Sequence, residues 1–224
     1  MTDQAQEVKQ IYFYNTRKEM IPFIPPESKR ILDIGCGGGN FCHILKGTLQ
    51  AEIWGVELDP KAAGKATESL DHVIQGDFLY KHKELPDDYF DCIIMNDALE
   101  HFQDTGKILE ICRRLLNDDG FLVCSIPNVR YVGNLYELIV KKDWEYKESG
   151  ILDQTHLRFF TKKSILRVFQ NSGYRIIKIS GINPTHSLKV KLFNIVTFGF
   201  FQDIKFLEFA IVSKNTKRKP YRDI

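Results

Sequence analysis

A glycine-rich turn in the first third of the chain has the residue types needed to bind a small charged ligand. An apolar run ends in the pattern Asp33-x-Gly35-x-Gly37-x-Gly39, and a helical pattern begins directly after it. Glycine permits positive φ angles and lets a backbone pass close to a ligand. In a doubly wound α/β sheet, the first turn of this kind lies at the crevice where nucleotide-like ligands bind.

The spacing of these glycines argues against a dinucleotide ligand. The nicotinamide fingerprint G-x-G-x-x-G requires its third glycine at the position that Asn40 occupies here. The carboxylate of Asp33 would repel a pyrophosphate, whereas it attracts a cation such as an ammonium or sulfonium group. The turn therefore predicts a positively charged, nucleoside-like ligand.

Polar residues also follow the next three predicted strands. Glu57, followed by Leu58, stands about 20 residues beyond the glycines, where an acidic side chain can accept both hydroxyls of a ribose. Asp77 and Phe78 follow the third strand, where a carboxylate suits an adenine amino group and an aromatic ring can stack on it. Asn96 ends the fourth strand at the same edge. An acidic residue after one strand is usually a helix cap, but four such positions in succession indicate a ligand site.

Strands and helices alternate along the chain, which predicts a mostly parallel sheet with helices on both faces. The apolar runs that predict strands are Arg30–Ile34, Glu52–Glu57, His72–Gln75, Phe90–Met95, Phe121–Ile126, Tyr174–Ser180 and Phe206–Ser213. Two insertions interrupt this alternation. One, at about 127–160, is rich in aromatic residues, and the other, at about 187–204, is apolar and predicted to be helical.

The main domain is expected to span residues 28–214. Residues 1–27 are expected to form an N-terminal helix or lid, and residues 215–224 a basic tail. The formal net charge of +2 is too small for a dedicated nucleic-acid binder. The N-terminus lacks the apolar core of a secretory signal, and no apolar run reaches the length of a membrane span. We therefore expect a cytoplasmic protein without stable membrane insertion.

Five segments between residues 30 and 128 resemble the class I S-adenosylmethionine-dependent methyltransferases. They are LDIGCGGG, GVELDP, QGDF, YFDCIIMNDALEHF and LLNDDGFLVCSIPN. The later segment GILDQTHLRFFT, residues 150–161, resembles the D-x-T-H-L-R-F-F-T signature of a bacterial subgroup that often accompanies sugar and cell-surface polysaccharide genes. The resemblance implies a Rossmann-like, doubly wound α/β sheet of seven mostly parallel strands, with an antiparallel strand near one edge.

The resemblance also implies S-adenosyl-L-methionine as cofactor and assigns contacts to it. The glycine turn, with Asp33, Gly35, Cys36, Gly37 and Gly39, would wrap the methionine part. Glu57 would hold the ribose, with Leu58 after it as a further cofactor contact. Asp77 and Phe78 would hold the adenine, and Asn96 would lie near the sulfonium. Tyr14 and Arg17, from the N-terminal segment, would close over the methionine carboxylate.

The methyl acceptor is expected to be a small molecule that reacts through oxygen or nitrogen, and the subgroup resemblance suggests a sugar or cell-surface saccharide precursor. A hydroxyl acceptor needs a base, for which histidine is the usual residue. His156, beside Asp153 in the aromatic insertion, and His101 are the two candidates, although for His156 a structural role, anchoring the insertion to the core, is favoured over catalysis. Asp97, Glu100 and His101 share one face and could bind a divalent cation, but this motif is widespread and no metal is assigned.

The aromatic residues of the first insertion are expected to line the acceptor pocket or to pack in the core. They are Tyr131, Tyr136, Trp144, Tyr146, Phe159 and Phe160. An apolar, aromatic pocket with few polar groups is the usual form of a small-molecule site.

Three other interpretations compete with this one. A protein or nucleic-acid methyltransferase is supported only by the basic tail. A non-catalytic, cofactor-binding partner subunit is disfavoured by the intact glycines and Glu57. Peripheral membrane association through residues 187–204, which carry flanking lysines, competes with simple packing of this segment against the sheet edge. The sequence does not determine the oligomeric state.

Overall fold

The structure is a computed structural model that describes residues 16–216. These residues form one seven-stranded sheet with helices on its faces. The strands are β1 (Arg30–Ile34), β2 (Glu52–Glu57), β3 (His72–Gln75), β4 (Phe90–Asn96), β5 (Leu116–Pro127), β6 (Tyr174–Pro184) and β7 (Phe206–Asn215). The helices are α1 (Asn40–Thr48), α2 (Pro60–Ala66), α3 (Phe78–Lys81), α4 (Thr105–Leu115), α5 (Val132–Tyr136), α6 (Lys162–Asn171) and α7 (Leu188–Val196). Most of the expected N-terminal helix, including Tyr14, and residues 217–224 of the tail lie outside the described residues.

The strand order is β3-β2-β1-β4-β5-β7-β6, and β7 runs antiparallel to both of its neighbours. The predicted Rossmann-like fold, with one antiparallel strand near an edge, is therefore confirmed. Strand order reverses between β1 and β4, which are parallel neighbours. In open α/β sheets, ligands bind outside the carboxyl ends of the strands at such a reversal.

Both faces of the sheet are buried under helices because its central strands are apolar on both sides. In β4, Ile93 and Met95 belong to a core shared with α4 and α6, whereas Cys92 and Ile94 belong to a core shared with α1. Capping residues set where two of these helices begin. Asp59 accepts hydrogen bonds from the first-turn amides of α2, and Thr161 forms a capping box with Ser164 at the start of α6.

Strand β5 begins earlier than predicted. Leu116 pairs with Phe90, and Phe121 pairs with Cys92, so the intervening Asp-Asp-Gly turn is accommodated as an irregularity in the ladder. The predicted turn and strand are thus one irregular element.

Two insertions leave the sheet at the carboxyl edge of β5 and β6. The first contains α5 and a π-helical turn, Glu137–Lys141, and the second contains α7 and a short 3₁₀ helix, Gln202–Lys205. Asn128 joins their bases: its side-chain amide donates to the carbonyl oxygens of Asp203 (3.0 Å) and Phe206 (2.9 Å). Asn128 is fully buried, so neither carbonyl can easily be satisfied by water instead.

We expect Asn128→Ala to lower the free energy of unfolding by about 2 kcal/mol, because it leaves two buried carbonyl groups unpaired. Urea denaturation measures the loss. Asn134→Ala is the matched control, since Asn134 is half-buried and makes one long hydrogen bond, 3.4 Å, to the carbonyl of Val129. Equal losses for both variants would show that the joint between the insertions does not carry this stability.

Candidate functional site

The turn between β1 and α1 has the backbone shape that the sequence predicted. Gly37 and Gly39 have φ angles of 54° and 79°, in the left-handed region. A Cβ on Gly39 would lie 2.8 Å from the Leu70 side chain and 3.1 Å from the Ala66 backbone, whereas one on Gly37 would meet nothing within 4 Å. Gly39 therefore permits close packing against α2, and Gly37 leaves open space at the mouth of the turn.

Asp33 places a carboxyl group beneath this turn. The residue is 2% exposed; Oδ2 accepts a hydrogen bond from the Cys42 thiol at 3.1 Å, while Oδ1 has no hydrogen-bond partner. Burial, with a smaller contribution from the charge of Glu57, raises the pKa of Asp33 to about 7. A buried carboxyl with one unsatisfied oxygen is well suited to a cationic ligand, which fits the ammonium and sulfonium groups of S-adenosylmethionine.

Glu57 ties the ends of β1 and β2 together. Its Oε2 accepts from the Gly37 amide at 2.8 Å, and its Oε1 accepts from the Asp59 amide at 2.9 Å. These bonds hold the carboxylate at the crevice, where it could accept hydroxyl protons from a ribose. Beside it, the Leu58 side chain is 66% exposed and offers an apolar surface for a base. Cys36 is buried within the turn.

The predicted cofactor contacts after β3 and β4 differ in how accessible they are. Asp77 caps α3, accepting from the Leu79 amide at 2.9 Å, and remains partly accessible. Phe78 is 3% exposed and packs in the core against Phe102, so its ring is not available to stack on a base. Asn96 lies at the end of β4, where its buried Oδ1 lacks a hydrogen-bond partner. Of the two apolar residues predicted to contact the cofactor, Leu58 is exposed and Phe78 is buried.

Arg17 is buried among acidic side chains at the ends of β4 and β7. Its guanidinium contacts Asp97 Oδ2 at 2.7 Å, Glu208 Oε2 at 2.5 Å and Ser125 Oγ at 2.7 Å. Burial raises the pKa of both carboxyl groups, and the Arg17 charge opposes that rise. In this structure Arg17 therefore fastens the N-terminal segment to β4, β5 and β7, and it is engaged by these protein groups rather than directed at the glycine turn.

Glu100, His101 and His156 meet at the same carboxyl edge. His156 Nε2 lies 3.9 Å from Glu100 Oε1, and the two imidazole rings meet edge-on with centroids 4.8 Å apart. Glu100 is 1% exposed, and neither carboxyl oxygen has a hydrogen-bond partner. Burial, followed by the charge of Asp97, raises the pKa of Glu100 well above its usual range. The sequence predicted a cluster of Asp97, Glu100 and His101. In the structure Asp97 pairs with Arg17, and His156 completes the cluster with Glu100 and His101.

Backbone carbonyls orient both imidazoles. His156 Nδ1 lies 2.9 Å from the Ile151 carbonyl oxygen and His101 Nδ1 lies 3.2 Å from that of Thr155, which assigns the proton of each neutral ring to Nδ1. Each Nε2 then carries the lone pair. Asp153, expected to orient His156, instead accepts from the amide and hydroxyl of Thr155. Asp153 therefore stabilises the turn that precedes His156.

An aromatic wall, formed by Trp144, Tyr146 and Phe159, continues from the histidines. The Phe159 ring lies 5.4 Å from Trp144, 6.2 Å from Tyr146 and 6.4 Å from His156, centroid to centroid. Tyr146 is 54% exposed, so the wall reaches the surface. Phe160, by contrast, is a core residue.

Two buried polar residues of the site, Ser125 and Glu208, were not identified from the sequence. Glu208 interrupts the apolar run FLEFAIV of β7, and Ser125 interrupts FLVCSIP of β5. A lone charge within an otherwise buried strand is the signal that could have located Glu208, because an unpaired charge is rarely buried.

The family model described as a methyltransferase domain matches residues 9–179. A ubiquinone biosynthesis O-methyltransferase of Paraburkholderia phymatum is 28% identical over 168 residues, which are 70% of this chain and 69% of that protein. A protein of the same name from Cereibacter sphaeroides is 26% identical over 204 residues, covering 87% and 76%. The crystal structure of a SAM-dependent methyltransferase from Archaeoglobus fulgidus has a TM-score of 0.68 and 19% identity, covering 94% of each chain. The family match indicates S-adenosylmethionine as the cofactor, and the acidic crevice fits this cationic ligand.

We expect Glu57→Ala to weaken binding of S-adenosylhomocysteine, the demethylated cofactor, by more than tenfold, because the crevice loses its two ribose acceptors. Titration calorimetry measures the affinity, and thermal unfolding checks that the fold persists. Glu68→Ala, at an exposed site after α2, is the matched control. Unchanged affinity in Glu57→Ala would remove Glu57 from the site.

Cofactor affinity is expected to rise with pH. Only the ionised form of Asp33 attracts a cation, and its pKa of about 7 in the free protein means that this form is gained as pH increases through neutrality. Binding of S-adenosylmethionine at pH 6 should be about tenfold weaker than at pH 8, one pKa unit being a factor of ten. Asp33→Asn should bind weakly with no such slope. A flat profile in the unaltered protein would contradict the role of Asp33.

Proposed function

Because this chain belongs to the methyltransferase domain family and uses S-adenosylmethionine, we propose that it methylates a hydroxyl oxygen of a small, ring-bearing acceptor. The observation that carries the proposal is the pair of contacting histidines, His101 and His156, at the carboxyl edge of the sheet beside the aromatic wall. The O-methyltransferase names of the relatives in Paraburkholderia phymatum and Cereibacter sphaeroides favour oxygen as the receiving atom.

The crevice is proposed to hold the cofactor through the contacts that the sequence suggested, except those of Phe78 and of Arg17, which is engaged by Asp97 and Glu208. Tyr14 lies outside the described residues. Asp33 and the turn Gly35-Cys36-Gly37, closed by Gly39, would hold the methionine part. Glu57 would bind the ribose, Leu58 would cover the base, Asp77 would receive the adenine amino group, and Asn96 would lie near the sulfonium. Phe78 is left out because its ring is in the core.

The chemistry needs orientation and a proton acceptor. Bound S-adenosylmethionine supplies an activated methyl electrophile, so the residues need only align the acceptor oxygen with the sulfur–methyl bond that breaks. Such positioning lowers the activation barrier by roughly 7–11 kcal/mol. As the new carbon–oxygen bond forms, the hydroxyl proton must leave. A lone pair on a nearby imidazole receives it.

His101 is the better placed of the two histidines to receive this proton. It is half-buried, whereas His156 is 9% exposed. Burial, with the charge of His156 as the next cause, lowers the pKa of His101, so its ring is neutral at pH 7. We propose that His101 Nε2 accepts the proton and that His156 is a positioning residue, held by the Ile151 carbonyl.

The aromatic wall favours a planar or sugar ring as acceptor, since both stack on aromatic faces. The sugar prediction rests on the DQTHLRFFT part of the chain, which contains His156 and Phe159, whose ring centroids lie 6.4 Å apart. The relatives do not support a saccharide, so a hydroxylated aromatic ring is the acceptor proposed first, and a sugar stays a prediction.

A methyl-transfer assay with radiolabelled cofactor tests the proposal on three acceptor sets: catechols and phenols, nucleotide sugars, and primary amines. Transfer to phenols or catechols is the expected result. Transfer to amines alone would overturn oxygen as the receiving atom, and transfer to sugars alone would overturn the aromatic ring. Cofactor binding without turnover on any set would favour the non-catalytic interpretation.

We expect His101→Ala to lower kcat at least a hundredfold with unchanged cofactor affinity, the usual range for loss of a general base being 10²–10⁴. His156→Asn should lower kcat less. In the unaltered enzyme, kcat/KM should rise with pH as His101 loses its proton and level off below the ordinary histidine pKa of 6.5, because that pKa is lowered.

His186→Ala is the control, since His186 is an exposed residue of the loop before α7 and is not a member of this cluster. A kcat unchanged in His101→Ala would exclude His101 as the base. Loss of activity on chelator treatment, restored by a divalent cation, would instead assign Glu100, His101 and His156 to a metal and contradict proton transfer as their role.

A further inference from the structure

Helix α7 has its apolar side turned to the solvent. Within this helix only Val190 is buried. A surface helix of a globular protein normally buries its apolar stripe, so this arrangement is reversed. The exposed large apolar side chains of the helix and the turn after it are Leu188 (77%), Leu192 (63%), Phe193 (45%), Ile195 (73%), Val196 (67%), Phe198 (99%) and Phe200 (79%). This set is called the apolar face below.

The apolar face covers one side of the helix, and in the first turn Lys189 lies within the same arc. At the helical spacing of 100° per residue, its five helical members span an arc of roughly 160°, and Val190 lies on the opposite side. The chain then turns through left-handed backbone at Phe198 and Gly199, with φ of 51° and 77°. This turn leaves the Phe198 ring almost wholly exposed. The expected packing of this segment against the sheet edge is therefore not what the structure shows.

Positive charge lies within and beside the apolar face. Lys189 and Lys191 lie within the helix, and Lys205 follows the turn. The one acidic side chain of residues 187–205, Asp203, is paired with Arg130. The segment thus combines a broad apolar surface with an excess of lysine, the composition of helices that lie in the interface of an anionic lipid bilayer.

The other insertion adds a second exposed apolar group at the same edge of the sheet. Leu138, Ile139 and Val140, in the π-helical turn, are 45%, 67% and 61% exposed. Both insertions leave the carboxyl edge, and Asn128 joins their bases. The apolar groups therefore belong to the edge that also holds the crevice.

We propose that the apolar face docks on the surface of a membrane that contains anionic lipids, with the aromatic tip inserted and the lysines at the headgroups. Charge favours this occupant over a second copy of the chain. A two-fold interface through the same face would bring two sets of three lysines together, whereas anionic headgroups neutralise them. Within residues 16–216, no helix is long and apolar enough to cross a membrane, so the contact is interfacial. Docking brings the crevice edge to the lipid surface.

Vesicle flotation of the full chain tests this proposal without requiring activity. The protein should float with vesicles of phosphatidylcholine mixed with phosphatidylglycerol, less with phosphatidylcholine alone, and less at high salt. The double variant Phe198→Ser with Phe200→Ser should lower the bound-to-free ratio at least tenfold. Lys189→Glu with Lys191→Glu should lower it on anionic vesicles only. Ile177→Ser, at a 49% exposed apolar site on β6, is the matched control and should float normally.

Three results would overturn the proposal. The first is failure of the unaltered protein to float on anionic vesicles, and the second is equal flotation of the phenylalanine variants. The third is a dimer that the same variants convert to monomer in sedimentation, which would assign the face to a second copy. Calorimetry with S-adenosylhomocysteine on every variant shows that a loss of flotation is not a loss of fold.

Discussion

Five acidic side chains held out of water at one edge of the sheet are the constraint on which the rest of this structure depends. Burying a carboxylate is costly unless it is paired, hydrogen-bonded or protonated. The cost of burial is offset in a different way for each of these side chains. Glu57 accepts two backbone amides, Asp97 and Glu208 share Arg17, and Glu100 has a strongly raised pKa. Asp33 keeps one oxygen without a hydrogen-bond partner, and burial raises its pKa to about 7.

The carboxyl edge of the sheet therefore has two parts that differ in charge. The part at β1 and β2 keeps negative charge available, which suits a cationic cofactor. In the part at β4, β5 and β7, Arg17 pairs with Asp97 and Glu208, and Glu100 has a raised pKa, which fits the proposed uncharged acceptor and the proposed proton transfer to His101. One sheet edge therefore combines a negatively charged part with a part in which most charges are paired. The strand order that reverses between β1 and β4 brings the two parts together.

The insertions are where the chain departs from a compact sheet and its helices. The first delivers His156 and the aromatic wall, and the second carries apolar side chains that the sheet does not cover. Exposed apolar area on this scale has an energetic cost in water, and proteins keep such patches where they contact something. The polar joint at Asn128 fixes the insertions to each other at their bases and leaves their outer surfaces free.

The sequence by itself determined the fold and the cofactor, because the patterns that indicate both are local. Apolar runs of strand length, glycines with positive φ and acidic residues at strand ends are each read within a few residues, and Asp33 and Glu57 lie where these patterns put them. Only the tertiary structure decided which partner each buried group has. Arg17 meets Glu208, 191 positions away, and His156 replaces Asp97 beside Glu100. Likewise, the burial of the Phe78 ring and the exposure of the apolar side of α7 depend on what packs around them, since neighbours distant in the chain determine which face of an element is covered.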